Sequence, residues 1–134
     1  MIVPNVLAPN VMGGVVGSFY LSEHTAEGDV HVIRIGGYVD FDVAPQLKKR
    51  VVQRIEAGEQ SLVIDLSDAG FIDSTAIGVL VGALKRLRES GGALAVVCDN
   101  DNVRGIFEVV GLESVIPLHR TREDALAALP APVA

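Results

Sequence analysis

FIDSTAIGVLVGALKRLRESGG, Phe71 to Gly92, hangs a serine on the first turn of a helix. Phe71 and Ile72 close an apolar approach and Asp73 and Ser74 follow. Ile77, Leu80, Val81, Leu84 and Leu87 then recur three or four apart, so they share one buried face. Ser and Asp are the usual residues that satisfy the unpaired amides of a helix start, which puts that start near Ser74. Gly91-Gly92 is the matching stop. A hydroxyl at this place is exposed and oriented, and a phosphate on it would meet free amides and the positive end of the helix dipole. Position alone allows a plain cap at Ser74 as well, and Asp73 reads either as a capping partner or as a rim charge. Gly78 and Gly82, four apart on the same helix, read as points of close packing that would also suit an approaching partner helix.

Outward from this helix, strand and helix patterns alternate. SFYLSEH (18–24) reads as an edge strand and VHVIRIGG (30–37) as a strand with alternating Val30, Val32 and Ile35. Val43, Leu47, Val51 and Ile55 step four apart into a helix that ends at Gly58, with Lys48, Lys49, Arg50 and Arg54 as its solvated face. SLVIDL (61–66) reads as a central buried strand. The helix at roughly 75–90 is followed by the strand ALAVVC (93–98). Val103, Ile106, Phe107 and Val110 make a further helix closed by Gly111. VIPL (115–118) reads as a short strand held to an edge by Pro117. Thr121 and Asp124 form a capping pattern before Ala125, Leu126 and Leu129, and Pro130 stops the last helix. The expected fold class is therefore α/β: one domain with a mixed, mostly parallel sheet and about four packed helices. The expected boundaries are an irregular or disordered arm at 1–17, the domain at 18–130 and a short tail at 131–134.

Composition excludes several function classes. In 134 residues the hydrophobic share is 49% and the aromatic share 4%, so the core is aliphatic. A formal charge of −6 argues against nucleic acid, which usually needs a clustered basic surface, and the few aromatics are not interleaved with Lys or Arg for base stacking. The single Cys98 ends an apolar run and reads as a buried, inert thiol. The apolar arm lacks a positive start and is broken by Pro4, Pro9, Gly13 and Gly14, so it does not read as a signal peptide, and no segment has membrane-spanning length. A cytoplasmic protein with no membrane contact, no metal and no cofactor is expected.

Sites in such sheets lie beyond the carboxyl ends of the strands. Asp40 and Asp42 follow the first long strand, Asp65 ends the next and Asp73 precedes Ser74, so these acids are expected to gather there. One reading is catalytic. VDFDVA resembles the nucleophile motif of haloacid-dehalogenase-type phosphotransferases, in which Asp40 would attack a phosphate, Asp42 would be acid or base and magnesium would neutralise charge. Asp99 and Asp101 would have to supply the second acidic pair, at an unconvincing spacing, and Gly36-Gly37 spoils the strand before the motif. Ser74 lacks the G-x-S-x-G elbow of a serine hydrolase, and His24, His31 and His119 have no obvious path to it.

The regulatory reading has a more specific basis. The order GYVDFDVAPQLKKRV, then SLVIDLSDAGFIDSTAIGVLVGALKRLRESGGALAVV, then VRGIFEVVGLESVIPL resembles the STAS domain of bacterial anti-sigma factor antagonists over about residues 20–129. D-S-T-A-I-G-V-L, Asp73 to Leu80, is its most specific part. The resemblance implies a non-enzymatic domain of four helices on a mixed sheet. Its implied partners are an anti-sigma factor that is also a serine kinase and a PP2C-like phosphatase that restores the unmodified form. It implies that Ser74 is the phosphoacceptor, that Thr75 fills a Ser-or-Thr position, and that Asp40 lies beside the phosphoacceptor. Asp40, Asp73, Ser74, Thr75 and Gly78 are thereby the expected partner-binding residues. Two departures stand out: Gly37-Tyr38-Val39-Asp40 replaces the frequent Gly-Glu-Leu-Asp, which bears on partner choice, and Ala76 replaces a frequent Gly, which favours the helix. A non-catalytic scaffold subunit, with the apolar arm packed on another subunit, is the alternative from a different class.

Overall fold

A computed structural model describes residues 19–112 and 114–130. The expected arm at 1–17, with Ser18, and the tail at 131–134 lie outside the described residues. The elements run β1 (Phe19–Ala26), β2 (Val30–Val39), α1 (Ala44–Glu56), β3 (Ser61–Asp65), β4 (Ala69–Ile72), α2 (Ser74–Glu89), β5 (Ala93–Val97), α3 (Asp101–Val109), β6 (Leu118–His119) and α4 (Arg122–Ala128). The sheet order is β1-β2-β3-β5-β6, with β4 paired to β2. β1 is antiparallel to β2 and every other pairing is parallel. None of the described helices is long and apolar enough to cross a membrane.

Strand alternation sorts the core into two layers. Ile33, Ile35, Leu62, Ile64, Leu94 and Val96 pack with the apolar faces of α1, α2 and α3 in the larger cluster. Val30, Val32, Val63, Ala95 and Val97 point to the opposite face, where Ala125 of α4 meets them. Because β3 and β5 bury both faces, they read as unbroken apolar runs.

Four local features differ from the reading of the chain. β4 is the main one. After Asp65 the backbone breaks away, with the Leu66 amide donating to Val97 O (2.7 Å), the Ala69 amide to Leu66 O (3.0 Å) and the Gly37 amide to Asp68 O (3.0 Å). β3 therefore flanks His31–Arg34 of β2, and β4 takes over the same edge from Gly37 to Val39. Its AGFI is buried only at its two ends, so it lacks the period of two that marks a half-buried strand. Next, Gly36-Gly37 does not spoil β2, which continues to Val39. A Cβ at Gly36 would collide with the Tyr20 ring and with Asp68 Cβ, so only glycine admits the tyrosine over the strand. Gly37, at φ 88°, takes up the register shift between β3 and β4.

Third, the last strand begins only after Pro117, which cannot donate to a ladder. Pro117 still contributes its carbonyl to the Val96 amide (2.9 Å), and β6 has the expected edge position. Fourth, the basic run of α1 is not wholly a solvated face. Lys48 and Lys49 are exposed, but Arg50 and Arg54 reach Glu23 on β1, which also accepts from His31 Nε2 (2.7 Å).

Asp65, expected at the acidic rim, turns instead to the α4 face. There it accepts from Arg122 Nη2 (2.8 Å) and the Ser67 amide (2.9 Å), while Arg122 Nη1 lies 3.0 Å from His24 Nε2. Burial pushes the Asp65 pKa up, but the Ser67 and Arg122 hydrogen bonds outweigh it and hold the carboxyl below its usual value. Burial, then the Arg122 charge, push His24 below the ordinary imidazole value. Both groups have native pKa values below their unfolded ones, so the unfolded chain binds more protons and stability falls on acidification. The His24 part is complete above about pH 6.5 and the Asp65 part above about pH 3.8, and each fades as pH drops through the lower native value. Arg122→Ala, which leaves the Asp65 carboxylate without its cation, is expected to cost about 1.5–3 kcal/mol at neutral pH in urea unfolding. In Asp65→Asn the loss of stability between about pH 4 and 2 should shrink relative to the parent.

Candidate functional site

The site grows from one pairing. Tyr38 stands opposite Phe71 and Val39 opposite Ile72 in the parallel β2–β4 ladder. The next residue on each strand is Asp40 and Asp73, and the Asp73 amide donates to Val39 O (3.2 Å). Two acids distant in sequence thus leave the carboxyl ends of neighbouring strands side by side, and a helix starts after each.

Each aspartate organises its own helix start. Asp40 Oδ1 accepts from the amides of Asp42 (3.0 Å) and Val43 (3.3 Å), and its carbonyl accepts from Val43 and Ala44 (3.0 and 2.8 Å). Asp40 is therefore an Asx-turn residue that feeds α1, whose own N-cap Val43 has no side chain able to cap. Pro45, with its fixed φ, sits in the first turn. Asp73 has extended backbone (φ −110°, ψ 176°), Oδ1 accepting from the Ala76 amide (3.0 Å) and a carbonyl accepting from Ile77 (3.0 Å). Asp73 is the N-cap of α2. Ser74 is the first helical residue rather than the cap, because a cap needs extended backbone and Asp73 directly continues β4.

This one-residue shift decides what the serine can do. Asp73 already satisfies the third amide of the helix, and Ser74 is exposed beside exposed Thr75. The first-turn amides of Ser74 and Thr75 have no intrahelical carbonyl to pair with, and the positive end of the helix dipole lies there. The hydroxyl is thus presented outward at a place suited to added negative charge. Gly78, one turn further on, is also exposed. A Cβ at Gly78 or Gly82 would meet nothing within 4 Å, so close internal packing, the first expectation for these glycines, is not their role.

The remaining acids and nucleophiles are placed elsewhere. Asp99 and Asp101 pair with Arg120 (3.1 and 3.3 Å) at the start of α3, not with Asp40 or Asp42. Cys98 is fully buried, and burial pushes its thiol pKa up, against thiolate chemistry. His31 is tied to Glu23 and His24 to Arg122.

The sequence reading passed over the aromatics around the site. Tyr38 and Phe71 stack at 5.9 Å between centroids and are 45% and 38% exposed, and Phe41 beside Asp40 is 64% exposed. Large apolar side chains in the open are informative when grouped beside a site. The signal was available in Tyr38 and Phe71 separately, but their adjacency needs the β2–β4 register.

Comparison with known proteins places these features in a family. The model of the STAS domain matches residues 23–125. The anti-sigma-B factor antagonist of Bacillus subtilis (strain 168) is 33% identical over 100 residues, covering 75% of this chain and 90% of that protein. Its counterpart in Staphylococcus aureus (strain NCTC 8325 / PS 47) is 25% identical over 101 residues, covering 75% and 94%. The crystal structure of an anti-sigma factor antagonist from Mycobacterium paratuberculosis superposes with a TM-score of 0.77 at 28% identity, covering 84% of this chain and 94% of that one. With its sheet order, its four helices and a family match across most of its length, the chain belongs to the STAS domain family.

Proposed function

We propose that this chain is an anti-sigma factor antagonist switched by phosphorylation of Ser74. The antagonist role follows from relatives that carry that name and align over three quarters of the chain. The switch rests on one observation: Ser74 is the exposed first residue of α2, and its neighbour Asp73 does the capping. In the unmodified state the surface formed by Asp40, Asp73, Ser74, Thr75 and Gly78 binds an anti-sigma factor with serine kinase activity and so frees a sigma factor. The kinase phosphorylates Ser74 and the complex parts, and a PP2C-like phosphatase restores the starting state. The chain's part is binding rather than catalysis, since Asp40 is engaged in the α1 turn and the acids at 99 and 101 are paired with Arg120.

The energetics favour a block over a refolding. A phosphate brings about −1.5 to −2 charges at neutral pH. The helix start returns about 0.3–1 kcal/mol of that locally, and Asp40 and Asp73 oppose it. The domain thus keeps its structure. Against a packed partner the same charge and bulk cost several kcal/mol, or about a hundredfold or more in affinity.

Mass spectrometry of the chain from its native source, before and after phosphatase treatment, is expected to place one removable phosphate on Ser74. Persistence of equal phosphorylation by the cognate kinase in Ser74→Ala would remove the site assignment. Ser74→Asp should weaken calorimetric binding to the anti-sigma factor by about tenfold or more, since part of the phosphate's charge is carried without its bulk. The two neighbours should separate in stability. Asp73→Ala is expected to lose about 1 kcal/mol through the cap, whereas Ser74→Ala should stay within about 0.5 kcal/mol in urea unfolding.

A further inference from the structure

Charge is unevenly distributed over the fold. α1 and α2 carry seven of the eleven Lys and Arg residues but only two of the seventeen Asp and Glu. The chain is acidic as a whole, so this helical layer is a basic face on an acidic body. Arg50 and Arg54 are engaged by Glu23, which leaves Lys48 and Lys49 on α1 and Lys85, Arg86 and Arg88 on α2 as exposed cations.

Between the two helices lies an open groove of about 780 Å³. Its floor is apolar, with Val51, Val52, Val79 and Ala83. Its rim holds Lys48, Lys85 and Arg86 against a single acid, Glu89. Gly78 and Gly82 lie along it, and a Cβ at either would meet open space. Glycine within a helix costs about 1 kcal/mol relative to alanine, and no internal contact at these positions explains that cost. Their place in the groove does: they lower one wall so that a backbone can approach closely. From Thr75 to Glu89 the groove follows α2 for about 20 Å at 1.5 Å per residue, enough for about four helical turns.

We propose that the groove between α1 and α2 docks an amphipathic helix of a protein partner, apolar on one face and lined with Glu or Asp. The apolar face covers the valine floor and the acids meet Lys48, Lys85 and Arg86. The complementarity selects against a basic helix, which would meet like charge, and against a second copy's own α1–α2 face. Thr75 lines the near end of the groove and follows Ser74, so a docked helix would end next to the serine. This deepens the proposed function by naming what the partner presents beside Ser74. Its test does not involve phosphorylation, so the two readings fail separately.

The test is an NMR titration of the ¹⁵N-labelled full chain with a synthetic Leu/Glu amphipathic helix of about sixteen residues, a length matched to the groove. The expected result is saturable shifts confined to the amides of α1 and α2 that border the groove. The double variant Lys85→Glu, Arg86→Glu and the single variant Gly82→Leu should each weaken binding by about tenfold or more. Leu favours the helix over Gly, so Gly82→Leu should keep the parent's thermal melt and report occlusion alone. Glu123→Gln, exposed on α4 across the sheet, should bind as the parent does. Absence of saturation at millimolar peptide, shifts centred elsewhere, or equal binding of the same peptide with Lys for Glu would each overturn the proposal. So would unchanged affinity in both groove variants.

Discussion

The short parallel ladder between β2 and β4 sets the geometry of everything at the functional end of the molecule. Once Val39 and Ile72 are paired, the chain leaves the sheet at Asp40 and at Asp73 in neighbouring places and in the same direction. Two helices then start side by side, each from an aspartate: the Asp40 carboxylate accepts from the Asp42 and Val43 amides ahead of α1, and the Asp73 carboxylate from the Ala76 amide of α2. The ladder exists because β3 ends early and the chain re-enters along the same edge of β2, a step that Gly37 accommodates with its positive φ.

Much of this was legible in the chain because burial imposes a period. The 3.6-residue repeat of Ile77, Leu80, Leu84 and Leu87 and the apolar runs at 62–66 and 94–98 are direct consequences of packing against one or two faces of a sheet. Other features depended on relations between segments. β4 carries no period of its own, and the stacking of Tyr38 on Phe71 exists only through the register. Local patterns could narrow the helix start to Asp73 or Ser74 but not choose between them. That choice followed from the extended backbone inherited from β4. The acids were the least legible, because identical side chains at strand ends went to different faces: Asp65 to Arg122, Asp99 and Asp101 to Arg120, and only Asp40 and Asp73 to the shared edge.

The two faces of the sheet have different characters. The face under α1, α2 and α3 holds the large aliphatic cluster, and Glu23 there is matched by His31, Arg50 and Arg54. Among the described residues the opposite face has the short α4 over a few valines, together with polar pairs: Asp65 with Arg122, and Asp68 with Arg34 and Tyr20. The candidate site lies on the side with the larger apolar cluster. Helices anchored in a large core are suited to presenting a fixed surface.

The basic α1–α2 layer on an acidic body also gives the molecule a direction in solution. An acidic surface approaching at random is attracted to this layer before contact and tends to be turned toward it. At physiological ionic strength the field reaches about 8 Å, so the turning happens in the last nanometre, when a wrong orientation would otherwise end in a fruitless collision. Such steering raises the speed of capture of an acidic surface, independently of how tightly it is held.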